Sequence, residues 1–268
     1  METGKCMGMD QLFEKVAEKC KTVAFLESVM SKAHYASEDR ELLVDVLGKI
    51  LDCMEEDAAW GAKDVGAGRA QEMGQVAGAS QAREMGQVAE ASQAQEVVMT
   101  LGAGVDKLQE ALLAEGKLSE AYMVEVLGSE ILLLAYTVFN SWVKEHTDFV
   151  VKRYYFLGMG EKAVIGGADG KEKAAEVDLR LAALPEMLER SGLSVACTEG
   201  YCMVPKKSVA FYAELSKDRA VVCEGVCLGC GRKDCQNRLE AGERARGNRV
   251  LDRPLTYGYA RIFGLPKA

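Results

Sequence analysis

The sequence predicts an α+β fold, with helices in its first part and strands in its later part. Apolar residues recur at helical spacing through much of the first 143 residues, and short strand-like runs follow Leu193. No regular strand–helix–strand alternation occurs, which excludes a doubly wound α/β domain. The chain has 268 residues, of which 49% are hydrophobic, so it can form one large domain or two small ones with a real core.

The first 60 residues are predicted to form helices. The clearest evidence is an apolar stripe at i, i+3 and i+4 spacing between positions 42 and 54. Its members are Leu42, Leu43, Val46, Leu47, Ile50, Leu51 and Met54. Ser37, Glu38 and Asp39 precede this stripe and supply the cap and the first-turn acids of the predicted helix.

Residues 70–93 are an internal repeat, in which a 12-residue unit recurs with two differences. Solenoid repeats have longer and more apolar units. Twelve residues make about 3.3 helical turns, so Met73 and Met85 would not share one helix face. We therefore interpret 61–97 as a low-complexity insertion that lengthens a loop or a polar helix. A partner-binding helix is the alternative.

The rest of the chain is predicted to change from helices to strands. Helical patterning returns at Val97–Val143, where Ser119 is the expected cap of a helix. Another helix is expected at 179–188, ending near Gly192. The breaks and loops are 102–104, 115–117 and 166–170, and the predicted strands are 193–197, 209–213 and 220–223.

Charge and hydropathy limit the partners of this protein. Its 33 basic and 41 acidic residues give a net charge of −8, which argues against nonspecific binding to nucleic acid. The most apolar run, 131–143, is shorter than the roughly 20 residues of a membrane span. The first residues lack the basic-then-apolar order of a signal peptide, so we expect a cytoplasmic protein with no membrane partner.

Four cysteines within 13 residues form the sharpest motif: Cys223, Cys227, Cys230 and Cys235. Thiolates bind zinc and iron–sulfur clusters, and a single CxxC favours a cluster over a structural zinc site with two knuckles. Reduced thiols on a surface loop are the alternative. The spacing of Cys223, Cys227 and Cys230 also occurs in radical enzymes that have a (β/α) barrel, but too few residues follow Cys230 to form such a barrel.

Other catalytic templates do not fit. His34 and His146 are the only histidines, and neither lies in an HExxH or GxSxG context. The glycines at 158–160 and 166–171 match neither a P-loop nor a dinucleotide fingerprint. They are either ordinary loops or contacts to a small ligand.

The segment 198–212, Thr-Glu-Gly-Tyr-Cys-Met-Val-Pro-Lys-Lys-Ser-Val-Ala-Phe-Tyr, resembles the activation domain of vitamin B12-dependent methionine synthase. That domain binds S-adenosylmethionine, and its Thr-Glu segment runs through Met-x-Pro to Ser-Val and an aromatic pair. The downstream pattern of Cys227, Cys230, Cys235 and Arg238 is similar to the C-terminal signature of free-standing versions. Segments 100–106 and 128–130 are similar to the helical first half of those free-standing proteins. The resemblance as a whole spans roughly residues 40–240.

The resemblance implies helices packed around a curved, mainly antiparallel sheet. It divides the chain into N-terminal helices (1–60), the repeat insertion (61–97), an α+β core that carries the cysteine cluster (98–240) and a C-terminal tail (241–268).

The resemblance also implies an accessory role in a methyltransferase system. The protein would bind S-adenosylmethionine so that its methyl group can rescue oxidised cobalamin on a separate corrinoid-binding methionine synthase. A reduced flavodoxin or ferredoxin would supply the electron. The cofactor-binding residues implied are Arg153, Gly158, Gly170, Glu199 and Ser208.

This chain lacks the Pro-Gly-Tyr that follows the family's ligand-binding arginine: Leu157-Gly158-Met159 or Asp169-Gly170-Lys171 stands there. The alternative is therefore a non-enzymatic metal- or redox-linked binding protein that keeps the fold and has lost S-adenosylmethionine.

Overall fold

Helices precede most of the strands in the computed structural model, which describes residues 9–65, 94–165 and 175–226. The helices are α1 (Met9–Cys20), α2 (Val23–Lys32), α3 (Arg40–Asp57), α4 (Ala103–Ala114), α5 (Leu118–His146) and α6 (Leu184–Ser191). The strands are β1 (Ala59–Asp64), β2 (Ala94–Thr100), β3 (Val150–Phe156), β4 (Lys162–Ile165), β5 (Ala175–Asp178), β6 (Ala196–Cys197), β7 (Met203–Val204) and β8 (Ser208–Ser216). The α+β prediction is confirmed.

The main sheet has four antiparallel strands in the order β1-β2-β8-β3. β8 lies inside the sheet, and seven of its nine residues are buried, with apolar side chains on both faces. It pairs with β2 through Ser208 opposite Thr100, and with β3 through Glu214 opposite Arg153. β4 with β5 and β6 with β7 form two separate antiparallel hairpins.

Each face of the sheet packs on its own apolar cluster. Helices α1, α2, α3 and α5 cover one face, where the rings of Phe139 and Phe211 meet edge to face with centroids 5.9 Å apart. Helix α6 and the β4–β5 hairpin cover the other face, against residues such as Val98 and Tyr212. The N-terminal helices and the sheet therefore share one core.

Helix α5 has 29 residues, and its most apolar 18-residue window has a mean hydropathy of 1.5, so the helix is long and apolar enough to cross a membrane by length and composition. The apolar run 131–143 is only part of this helix, because the helix begins at Leu118. Within this fold, 61% of its most apolar window is buried against other elements. That burial makes α5 the central core helix of the domain.

The N-terminal prediction is confirmed in outline and refined in detail. The residues of the α3 stripe are buried except Leu42, which is 36% exposed. The helical region before α3 is divided into α1 and α2. The Thr22 side chain accepts a hydrogen bond from the Phe25 N–H and so caps α2. Gly192 ends α6 in the left-handed conformation, as expected.

Several predicted elements are wrong. Val97–Thr100 belongs to strand β2 and not to a helix, and 220–223 is irregular and not a strand. Ser119 lies inside α5, whose N-cap position is Lys117 with no side-chain cap. Of the predicted strand 193–197 only Ala196–Cys197 forms, whereas the strand at 209–213 extends over the whole of β8.

The repeat 70–93 lies outside the described residues, in the connection between β1 and β2. These two strands pair along their full length, and the Val65 N–H donates to the Ala94 carbonyl at the open end of the connection. Gly170, the cysteines at 227, 230 and 235, and the tail 241–268 also lie outside the described residues.

Candidate functional site

Three segments of the resemblance lie far apart in the chain and meet at one place, which we call the hairpin corner. It comprises Thr100–Asp106 from the end of β2 onward, Glu125–Ser129 of α5, which includes the first two residues of segment 128–130, and Lys206–Ser208 at the start of β8. The Leu101 N–H donates to the Lys207 carbonyl, and the Lys206 N–H donates to the Asp106 carboxylate at 2.8 Å. The corner fixes the point where the β6–β7 hairpin joins the sheet.

Buried hydroxyl groups hold this junction in a directed chain of hydrogen bonds. Thr100 Oγ1 lies 2.8 Å from Ser208 Oγ, which lies 2.7 Å from the Pro205 carbonyl oxygen. The carbonyl can only accept, so Ser208 donates to it and accepts from Thr100. Thr100 in turn accepts from the Gly102 N–H at 3.0 Å. Ser208 therefore anchors the hairpin, with its proton fully used.

A buried lysine joins the same junction to helix α5. The Lys207 side chain is 8% exposed, and its ammonium donates to the Glu125 carboxylate at 2.5 Å, the Glu125 carbonyl at 3.0 Å and Ser129 Oγ at 3.0 Å. All three N–H groups are thus satisfied, as burial of a charge requires. Its aliphatic stem lies on Gly128, where an added Cβ would be 3.0–3.2 Å from Lys207 carbons.

The charge of Lys207 affects its partner. Partial burial opposes ionisation of Glu125, but the hydrogen bond and positive charge of Lys207 outweigh it, and the pKa of Glu125 is lowered. Glu125 is therefore a carboxylate at neutral pH, and the ion pair is present.

The turn from β2 into α4 needs glycine. Gly102 has φ +89°, and an added Cβ there would lie 2.1 Å from Asp57 Cβ and under 3 Å from the Asp57 backbone. The Asp57 carboxylate accepts a hydrogen bond from the Gly104 N–H at 2.8 Å and so caps α4. This close approach places Thr100 for its contact with Ser208.

The β6–β7 hairpin presents exposed groups at its tip. Thr198 closes it: its N–H donates to the Cys202 carbonyl, and its hydroxyl accepts from the Cys202 N–H at 3.2 Å. Tyr201 has φ +60°, a left-handed conformation unusual for tyrosine. Glu199 is exposed, so its carboxylate can reach a ligand or partner.

A second polar cluster lies on β3 and β8, away from the hairpin corner. Buried Glu214 accepts hydrogen bonds from Lys152 Nζ and the Tyr155 hydroxyl, each at 2.8 Å. Burial and the hydrogen bond to Glu214 raise the pKa of Tyr155 to about 12. Residues 218–226, which we call the strap, run beside β3, where Glu224 binds Arg153.

Of the predicted metal ligands, the described residues include only Cys223. Its thiol is half-buried against the core and in hydrogen-bonding contact with the Tyr154 hydroxyl, and burial raises its pKa. Within 9–65, 94–165 and 175–226, no group of three or more His, Cys, Asp or Glu side chains could hold a metal ion.

The contact between Cys223 and Tyr154 leads to a prediction for the metal content. We expect Cys230→Ser to abolish bound iron or zinc in anaerobically purified protein, and Cys223→Ser to retain most of it. Metal analysis and visible absorbance measure both. Equal loss in the two variants would make Cys223 a full ligand, and metal-free wild-type protein with nine titratable thiols would rule out the centre.

The predicted cofactor-binding residues do not form one group in this structure. Arg153 is opposite Glu214, six positions along β8 from Ser208, or about 20 Å at roughly 3.3 Å per residue. Gly158 follows β3 and donates its N–H to the Leu179 carbonyl at 2.6 Å, beside Leu181. Glu199 and Ser208 belong to the hairpin and its anchor, whereas Arg153 belongs to the strap cluster.

Sequence reasoning missed several residues that build these two clusters. Nothing in the sequence distinguished Lys207 as a buried residue, since lysines are usually exposed. Asp57 and Glu224 act through partners far away in the chain. Thr100 lay within a segment of the resemblance, but nothing in that segment indicated its contact with Ser208.

The chain matches no protein-family model and no curated protein sequence.

Proposed function

We propose that this protein binds S-adenosylmethionine and acts as an accessory protein in the reductive reactivation of a cobalamin-dependent methionine synthase. One observation supports the proposal most strongly. Segments 100–106, 128–130 and 198–212 carry the resemblance and converge on the hairpin corner, through contacts between residues about 80 and 100 positions apart. A chance resemblance in three short segments gives no reason for such convergence.

The finer fold assignment is part of this proposal. Helices on one face of an antiparallel sheet are compatible with the methionine synthase activation domain that the resemblance implies. The repeat enters as an extension of the β1–β2 connection, so it leaves the pairing of the core strands intact.

The available side chains suit the charges of S-adenosylmethionine. Its carboxylate fits a guanidinium such as Arg153, and the ribose hydroxyls at the other end of the molecule fit a carboxylate such as Glu199. When bound, it supplies a methyl group on a sulfonium, which leaves as a neutral thioether once a reduced corrinoid accepts the methyl. The protein contributes position and orientation.

In this proposal the corrinoid is carried by a separate methionine synthase, and a flavodoxin or ferredoxin supplies the electron. The cysteine cluster would hold an iron–sulfur cluster or zinc. Glu199 and Tyr201 are exposed at the tip of the β6–β7 hairpin, where a ligand or the synthase can reach them.

We expect Glu199→Gln to weaken S-adenosylmethionine binding about tenfold, because the amide cannot form a charge-assisted hydrogen bond to the ligand's ribose hydroxyls. Isothermal titration calorimetry of the full-length protein measures the change. Glu189→Gln is the matched control, since Glu189 is exposed on α6 and outside the hairpin. Unchanged affinity in a folded Glu199→Gln variant would exclude Glu199 from the site.

The ion pair between Arg153 and Glu224 favours a second candidate, a metal- or redox-linked binding protein that has lost S-adenosylmethionine. A guanidinium already paired within the chain is consistent with a purely structural role. Titration with S-adenosylmethionine and with cobalamin separates the two candidates. Binding of the former supports the accessory role, and absence of both supports the second candidate.

A further inference from the structure

The strap is attached to β3 by few contacts. The Glu224 N–H donates to the Lys152 carbonyl at 2.9 Å, and Cys223 and Val226 pack partly against the core. Between them and the end of β8, Val222 is 84% exposed. The strap thus lies on the strand edge, with Cys223 and Val226 packed against the core.

The main polar contact of the strap joins Glu224 to Arg153, and Glu224 binds the guanidinium as the carboxylate of a ligand would. Arg153 Nε donates to Glu224 Oε2 at 2.5 Å, and Nη2 donates to Oε1 at 2.7 Å, the bidentate geometry of arginine with carboxylates. The guanidinium carbon lies 5.9 Å from the Tyr155 ring centroid, and the Tyr155 hydroxyl also contacts the guanidinium. Arg153 is thus held in place with its charge neutralised.

This pair remains partly open to water. The Arg153 side chain is 41% exposed and that of Glu224 is 27% exposed, so a carboxylate from solution can reach the guanidinium once Glu224 departs. The other nearby carboxylate, Glu214, is paired with Lys152 and Tyr155 and does not compete for Arg153.

We infer that the strap is an autoinhibitory latch, in which Glu224 occupies the place on Arg153 that the carboxylate of S-adenosylmethionine takes when it binds. The inference rests on the proposed function. Binding of the ligand's carboxylate then requires Glu224 to leave Arg153, and the apparent affinity falls by the fraction of molecules in which Arg153 is free.

The test compares wild-type protein with Glu224→Gln and Glu224→Ala, each titrated with S-adenosylmethionine and with its decarboxylated analogue. We expect both variants to bind S-adenosylmethionine at least tenfold more tightly than wild type, since they lose the competing charge. The analogue has no carboxylate, so its affinity should be the same in all three proteins. Glu145→Gln, which breaks the exposed ion pair with Lys15, is the control.

The outcomes separate the latch from the function. Wild-type binding of S-adenosylmethionine with no gain in the Glu224 variants would overturn the latch and leave the proposed function standing. An equal gain for both ligands would also overturn it, because the competition would not involve the carboxylate. Absence of binding in every variant would overturn the proposed function and the latch with it.

Discussion

Replacing Gly102 with alanine is expected to lower the free energy of unfolding by about 2–5 kcal/mol. Positive φ costs an alanine roughly 1–2 kcal/mol, and overpacking against fixed neighbours typically adds 1–3 kcal/mol. Here the new Cβ would lie 2.1 Å from Asp57 Cβ and 2.7 Å from the Asp57 carbonyl carbon, so backbone must move. Urea denaturation measures the loss.

Gly116→Ala is the matched control. Gly116 also has positive φ, +76°, but an added Cβ there meets no atom within 4 Å. Its cost should be limited to the conformational penalty, about 1–2 kcal/mol. Equal losses at the two glycines would show that the approach of Asp57 to the β2–α4 turn is not as close as described.

Truncating Lys207 to alanine should have the next largest effect, a loss of about 2–4 kcal/mol. The variant loses three hydrogen bonds from a charged donor, together with the packing of the stem on Gly128. Glu125 remains half-exposed and can be hydrated, which keeps the loss from being larger. Thermal and urea unfolding measure the effect.

The neighbouring lysine provides the comparison. Lys206 is 57% exposed and lies 3.9 Å from Glu110, so Lys206→Ala should change stability by less than about 0.5 kcal/mol. Lys207→Met keeps the stem and removes the donors, and should fall between the two. If Lys207→Ala lowered the free energy of unfolding no more than Lys206→Ala, Lys207 would not hold the β6–β7 hairpin to α5.

The sequence predicted the fold where periodicity was long and one-sided. The α3 stripe extends over more than three turns, so its buried face was clear. Strand β2 failed as a prediction because Val97, Val98 and Met99 are buried on both faces of the sheet, and such a run has no period of two. The 220–223 segment was wrongly predicted to be a strand from its apolar residues, since Val222 is exposed and does not lie in the sheet.

The candidate site was predictable only in part, because its contacts join distant positions. The resemblance led to Ser208, but its role as an anchor depends on Thr100 and on the Pro205 carbonyl. Burial of Lys207 depends on a glycine 79 positions earlier in the chain. Neither relation leaves a local pattern in the sequence.

The central claim is tested most directly by a remethylation assay. A cobalamin-dependent methionine synthase without its own S-adenosylmethionine-binding domain, in the cob(II)alamin form, is mixed with reduced flavodoxin and methyl-labelled S-adenosylmethionine. We predict that labelled methylcobalamin forms at a rate that depends on the concentration of this protein. Absence of stimulation, together with no calorimetric binding of S-adenosylmethionine to the wild-type chain, would contradict the proposed function.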